Sequence, residues 1–257
     1  GGLLALALLA GHLEAKAQSV PRFDVTRYAI EAELFPSTHA LAAKAQIDLV
    51  PKTDLTVLDF ELHGGLRVEK VLDAAGKELR FRQERLNLQI DFFNPLLEGK
   101  ESSITVVYGG PLLSADAGPV EDLNMAYIGA EGSYLLYQSR WFPVSAFGVD
   151  RFAATMRITV PSEQIVIASG KALAPVRQPG KVTYIYAFDE PSFPGTVLVG
   201  RYVVQPATAV GADIALYLKP GHEHLAASYG EAAARILIFF SEKFGPLPSS
   251  HLALVEI

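Results

Sequence analysis

From Tyr28 to about Leu218, apolar and polar residues alternate in short runs, and turn residues close each run. Tyr28 to Leu34 alternates and meets Pro36-Ser37-Thr38. Ala45 to Val50 stops at Pro51, and Thr56 to Leu62 stops at Gly64-Gly65. Arg67 to Leu72, a turn at Ala75-Gly76, Leu86 to Phe92 and Ser103 to Tyr108 continue the pattern up to Gly109-Gly110. A period of two, broken by Gly, Pro, Asn or Asp every 8–12 residues, predicts an antiparallel sandwich or barrel.

Residues 111–131 lack a period and read as one long excursion, a feature often found beside binding surfaces. Strands are predicted again at Tyr134–Tyr137, Phe152–Val160, Gln164–Ala168, Val182–Phe188, Val197–Val204 and Asp213–Leu218. The period changes near residue 221. Leu225, Tyr229, Ala232, Ala233, Ile236, Leu237, Phe240 and Phe244 fall at helical spacing, and Gly245-Pro246 stops the helix. His251 to Ile257 reads as a further strand. A bare apolar strand after a helix with little to pack on reads as the opening of a second unit that continues beyond residue 257. Ending the chain at about residue 221 is therefore expected to raise solubility by removing an uncovered apolar stripe.

Composition narrows the classes. The chain has 257 residues, half of them apolar, with 21 Gly and 16 Pro, which suits strands joined by turns. A formal charge of −6 and the lack of a Lys/Arg cluster exclude a nucleic-acid partner. With no cysteine, disulfides, Cys-based zinc sites and thiol catalysis are excluded. Leu3 to Ala10 is an apolar run followed by Ala15-Lys16-Ala17. This looks like the back half of a secretory signal peptide cleaved after Ala17. It predicts export to the periplasm or cell exterior, or a membrane tether where cleavage fails. The run is too short for a stable membrane span.

Four stretches, in order, resemble the aminopeptidase N family of zinc metallopeptidases. Arg27 to Leu34 looks like the family's first strand. Arg140-Trp141-Phe142-Pro143 followed by Asp150 to Met156 is similar to its Arg-x-Phe-Pro-Cys-x-Asp-Glu-Pro-x-Phe-x-Ala-Thr-Phe signature. Phe188-Asp189-Glu190-Pro191 and Val197 to Tyr202 resemble its following hairpin, and Ile236 to Leu254 the helix and strand that open its catalytic domain. The resemblance implies a mainly β architecture: a saddle-shaped antiparallel β-sandwich, then the first helix and strand of a thermolysin-like α/β catalytic domain. With residues 1–17 read as a signal-peptide remnant from their own pattern, it implies residues 18–221 as the N-terminal β-sandwich cap and 222–257 as the start of the catalytic domain. The implied partners are a downstream catalytic domain and the N-termini of peptide substrates. Zinc is implied for the complete parent protein, held by a motif beyond residue 257. Three departures mark a divergent branch: Val144 replaces the family's Cys, several residues separate Pro143 from Asp150, and the signature's Asp-Glu-Pro triplet is missing from that stretch.

Within the chain no catalytic or metal residue is expected. A helical zinc pair needs His at i and i+4, but position 226, four after His222, is Ala. His222-Glu223-His224 reads instead as the first turn of the helix, with Glu223 complementing the dipole. His39 and His63 read as exposed polar residues. Arg140, Trp141 and Arg151 read as a structural cluster, with Arg stacked on Trp or paired with Asp150. In the family, a Gln or Glu just before Arg-x-Phe-Pro holds the substrate's α-amine. The matching stretch is Ser133 to Ser139, where Gln138 is the only amide and an ungapped alignment selects Tyr134. A strand with Gln138 on its solvated face fits the same residues. Two rival readings remain beside the cap domain: a non-enzymatic sandwich that binds peptide or protein along a sheet edge, and a zinc-less scaffold relative.

Overall fold

Strand β1, Phe23–Phe35, shows how the alternation becomes a core. Tyr28, Ile30, Ala32 and Leu34 are buried, and the residues between them face outward. A bulge between Val25 and Arg27 shifts the register against β2 (Ala40–Pro51), so that Val25 and Tyr28 both point inward. The computed structural model describes residues 21–209, 211–246 and 251–257. The expected signal peptide and its cleavage point lie outside the described residues. Among those residues no helix is long and apolar enough to cross a membrane.

Further strands follow in the same manner. They are β3 (Leu55–Glu61), β4 (Arg67–Asp73), β5 (Glu78–Glu84), β6 (Asn87–Leu96) and β7 (Ser102–Pro111). After them come β8 (Ala126–Ile128), β9 (Gly132–Leu135), β10 (Phe152–Pro161) and β11 (Ile165–Ala168). Then come β12 (Lys171–Gln178), β13 (Lys181–Ser192) and β14 (Val197–Gly200). The turn between β4 and β5 is built by Asp73, whose Oδ1 accepts the N–H groups of Ala75 and Lys77, both at 2.9 Å.

The large sheet has ten strands in the order β12-β13-β10-β1-β2-β7-β4-β5-β6-β3. All neighbours in it are antiparallel except β1 and β10. β4 and β5 share only two residue pairs, and past that narrow joint the sheet turns back. Phe60 on β3 thereby meets Phe23 on β1 with ring centroids 5.4 Å apart, although five strands separate them in the order. A second sheet, β11-β14-β9-β8, closes the same core. The hydroxyl of Tyr186 on β13 ties the two sheets, donating to the Val166 carbonyl at 2.6 Å. Each large apolar side chain buried here contributes about 1.5–3 kcal/mol relative to exposure. The architecture is mainly β, as the alternation predicts.

Three local features differ from the sequence expectation. Val197–Val204 is not one strand. It breaks at Arg201-Tyr202 into β14 and β15 (Val203–Ala209), which belong to different sheets. The Tyr202 ring folds back over Gly200, where a Cβ would lie 2.7 Å from Tyr202 Cζ. The excursion 111–131 is not structureless: it carries β8 and buries Leu112, Met125, Ala126 and Ile128. His63 is buried at 2% exposure, because the excursion passes over it: Gly64 donates its N–H to the Ala117 carbonyl at 2.9 Å.

A separate apolar cluster forms around the last elements. β15 pairs with β16 (Ala212–Leu218), and β16 runs parallel to β17 (His251–Val255). Helix α1, Ala226–Phe244, packs on this sheet through Ala233, with Ile214, Leu216 and Leu218 buried beneath it. Gly230 permits the close approach: a Cβ there would sit 3.3 Å from that of Ala207. The β15–β16 hairpin, read from the sequence as part of the first domain, thus shares its sheet with β17 and its core with α1. Only one flank of α1 is covered. Ile236, Phe239, Phe240 and Phe244 are each about half exposed or more, beside an apolar groove of about 400 Å³.

Candidate functional site

The residues around Arg140-Trp141-Phe142-Pro143 form the densest aromatic cluster. Trp141 and Phe142 are fully buried, and their rings meet edge to face at 5.1 Å. Phe142 packs on Tyr28 at 5.2 Å, and Tyr28 on Phe152 at 4.6 Å. The Trp141 indole donates to the Gly195 carbonyl at 2.6 Å. Arg140 adopts a left-handed conformation at φ 55°, which turns its side chain back over the loop that follows. Its Nε donates to Glu61 Oε2 at 2.8 Å and its Nη1 to the Gln138 carbonyl at 2.6 Å. The guanidinium lies 3.6 Å above the Phe147 ring, which stacks on Tyr137 at 5.0 Å. The structural cluster expected from sequence is present with different partners: Arg140 stacks on Phe147, not on Trp141, and Arg151 lies 5.5 Å from the Phe193 ring.

Asp150 does not pair with arginine. It is 5% exposed, and its Oδ2 accepts the Val25 N–H at 3.1 Å. Burial pushes its carboxyl up to about 6, and the adjacent Asp24 adds to the effect. Lys52, 3.6 Å from Asp24, partly offsets it. The His63 imidazole is pushed down to about 4 by burial, and its Nδ1 accepts the Gly65 N–H at 3.0 Å, so the neutral ring carries its proton on Nε2. Neither group was legible as perturbed, since Asp150 and Val25 stand 125 positions apart.

The two substrate-facing candidates sit in different settings. Tyr134 is on β9, half-buried, with its hydroxyl 3.4 Å from the Asn124 carbonyl and its ring 6.0 Å from Tyr127. Gln138 is not on a strand. β9 ends at Leu135, and Tyr137–Ser139 forms a 3-10 turn, closed by Ser139 Oγ donating to the Leu136 carbonyl at 2.6 Å. Gln138 is exposed, as the solvated-face reading has it, and its carbonyl is fixed by Arg140. Tyr134 and Gln138 have no partner in common.

The described residues hold no group of three metal-binding side chains. His222 points to Glu256, with Nδ1 2.6 Å from Oε1. Glu256 Oε2 also accepts the Lys219 N–H at 2.8 Å. His224 lies away from this pair, its ring centroid 6.4 Å from that of His222. The residues clasp the start of the helical segment to the end of β17. Backbone N–H groups hold the Glu223 and Glu256 carboxyls below the usual range. The donor set does not fit zinc, which takes four ligands or three and a water.

Fold and cluster together define a mainly β sandwich joined to a small sheet with one helix. No protein-family model matches the sequence, and no curated protein does. Solved structures do. The chain is similar to an M1 zinc metallopeptidase from Deinococcus radiodurans, a mutant bound to a Tyr-Ser-Ala substrate, with TM-score 0.72 and 20% identity. The same organism's M1 zinc metallopeptidase, in another structure, gives TM-score 0.72 at 19% identity. A two-domain M1 zinc metallopeptidase mutant bound to L-tryptophan gives 0.69 at 19%. In all three the match covers 91% of this chain and 56% of the other. The chain therefore spans little more than half the length of these proteins and has the fold of that portion.

Proposed function

We propose that this chain is the N-terminal cap and the opening of the catalytic unit of an exported, aminopeptidase-like zinc metallopeptidase. The observation that carries the reading is the shared fold over 91% of the chain, spanning both the sandwich and the α1 sheet. The four ordered motifs support it. A boundary between the two units at Arg201-Tyr202, in place of about residue 221, is supported by the division of one predicted strand between two sheets and two apolar clusters there. The cap binds no metal. Its role is to wall the cleft and keep bulk water from the chemistry. Gln138, exposed and with its backbone carbonyl held by Arg140, offers its side-chain amide oxygen to a peptide's N-terminal ammonium, since an amide oxygen accepts from a cation. Zinc belongs to the parent protein, on residues beyond this chain.

The test is metal analysis of the purified chain after dialysis, alongside cleavage of an aminoacyl arylamide. Reading the gene downstream of Ile257 completes it. Less than 0.1 zinc per chain, no cleavage and a downstream H-E-x-x-H motif are expected, on the order of contamination only. A continuation without the His pair would favour the zinc-less scaffold, and a stop codon soon after Ile257 the stand-alone binding module. One zinc per chain with cleavage would overturn the assignment.

A further inference from the structure

We propose that the cavity between the β5–β6 turn and residues 115–122 binds a small zwitterion, its carboxylate at Arg67 and Arg85 and its ammonium at Glu121 and Asp122. This goes beyond the peptidase reading and uses the sandwich alone. The cavity has a volume of about 860 Å³, within the usual range for small-molecule sites. β4 supplies Arg67, the β5–β6 turn supplies Arg85, and the excursion after β7 supplies Glu121 and Asp122. Gly64 and Gly118 complete the lining with backbone alone. A Cβ on Gly64 would lie 2.9 Å from the Ala117 carbonyl oxygen, so the excursion can pass this close only over glycine.

Arg85 stands in the two-residue turn between Glu84 and Asn87, at φ 50°. Hairpin turns reserve that region for Gly, Asn or Asp, so an arginine there costs backbone strain. Its guanidinium has no hydrogen bond or ion pair among the described residues, so no contact within the fold offsets that strain. Arg67 is fixed by its own Nη1, which donates to the Gly64 and Leu66 carbonyls. Its Nε and Nη2 donors stay open. Glu121 and Asp122 also form no ion pair among the described residues, although two arginines line the same cavity. Two cations and two anions thus face one space unpaired, and a ligand carrying both charges satisfies both sets. His63 adds a buried donor. It is 2% exposed, and its Nδ1 accepts the Gly65 N–H, so the proton sits on Nε2. Nε2 has no acceptor among the described residues. A Cβ on Gly118 would lie 3.6 Å from it, so glycine leaves this N–H facing the lining with no side chain between. A buried donor without an acceptor is costly, and an occupant's carboxylate removes that cost.

Calorimetric titration of the full chain at low salt tests this, with glycine, 4-aminobutanoate and 6-aminohexanoate as probes. Hexanoate and hexylammonium are the single-charge controls. At least one zwitterion should bind about tenfold to hundredfold more tightly than either control, the worth of one charge-assisted contact. Nitrogen-15 detection of the His63 ring should show the Nε2 resonance moving along the same saturation curve. Arg85→Gly removes the guanidinium at a backbone position that favours glycine. That variant should melt at the same temperature or higher, and lose about tenfold or more in affinity for the zwitterion. Glu121→Gln should weaken zwitterion binding and leave that of hexanoate unchanged. Hexanoate binding as tightly as every zwitterion would overturn the assignment, since an anion alone would then fill the site. Failure of every probe to saturate at millimolar concentration would overturn it too. So would binding that survives Arg85→Gly while the His63 resonance stays still. Neither zinc nor peptide cleavage enters these readouts, so their failure leaves the cap assignment standing.

Discussion

The indole N–H of Trp141 and the carbonyl oxygen of Gly195, 54 positions apart, are joined by a buried 2.6 Å hydrogen bond. Gly195 is at φ 144°, and a Cβ on it would lie 2.7 Å from Phe142 Cε1. Trp141 and Phe142 thus rest against a backbone segment that has no room for a side chain. Trp141→Phe leaves that carbonyl unpaired and opens a small void, at an expected cost of about 2–4 kcal/mol. Gly195→Ala should cost at least about 2 kcal/mol through strain and overlap with Phe142. Urea titration followed by circular dichroism measures both.

Arg140 is 13% exposed while its partner Glu61 is 46% exposed. The ion pair itself is therefore largely screened, and a double-mutant cycle of Arg140→Met with Glu61→Gln should give a coupling of about 1 kcal/mol or less. Arg140→Met alone should cost more, about 1–3 kcal/mol. It also gives up the Gln138 carbonyl, the contact with Phe147 and its packing on that ring.

Stability should depend on pH through two opposed groups. Asp150 binds its proton more tightly folded than unfolded, with its pKa raised from 3.8 to about 6. Its contribution is full below pH 3.8 and lost as pH rises through 6. His63 is the reverse, with its pKa lowered from 6.5 to about 4. Its contribution is full above pH 6.5 and lost as pH falls through 4. Each is on the order of 2–3 kcal/mol when fully developed. In the wild-type chain the two slopes largely cancel between pH 4 and 6. His63→Gln should expose the Asp150 slope, with stability falling as pH rises, and Asp150→Asn should expose the His63 slope, with stability rising. Thermal melts across that range check the signs.

The packing of the β15–β16 hairpin changes where the chain should be cut. Ending it at residue 221 removes α1 and β17 and uncovers Ile214, Leu216 and Leu218, which are 2%, 1% and 2% exposed in the whole chain. That version should aggregate. A chain ending at residue 201 keeps the entire sandwich core and removes the second cluster as a unit. It should be the more soluble and unfold with a single transition, as gel filtration and calorimetry would report.

Much of the sandwich was legible from local pattern. Tyr28, Ile30, Ala32 and Leu34 alternate because the pleat sends successive side chains to opposite faces, and that period needs no knowledge of neighbours. The start and end of α1 were legible from its spacing and from Gly245 for the same reason. The site was less so. Gln138 appeared to continue a strand because Tyr134–Tyr137 carries strand-forming residues, yet the left-handed Arg140 and the Ser139 back-bond turn the chain. His63 looked exposed because the two glycines beside it suggest a turn. Its burial comes from the excursion near Ala117, more than 50 positions later.

The sequence by itself determined the mainly β class, the strand and helix periods and the absence of cysteine chemistry, because these depend on side-chain type and near-neighbour spacing. Only the tertiary structure decided that β14 and β15 part company at Arg201-Tyr202, that Arg140 rests on Phe147, and that Asp150 accepts the Val25 N–H. Those outcomes rest on contacts between residues far apart in the chain. Whether a carboxyl is solvated or desolvated, or a strand edge paired or free, is settled by which distant segment arrives beside it.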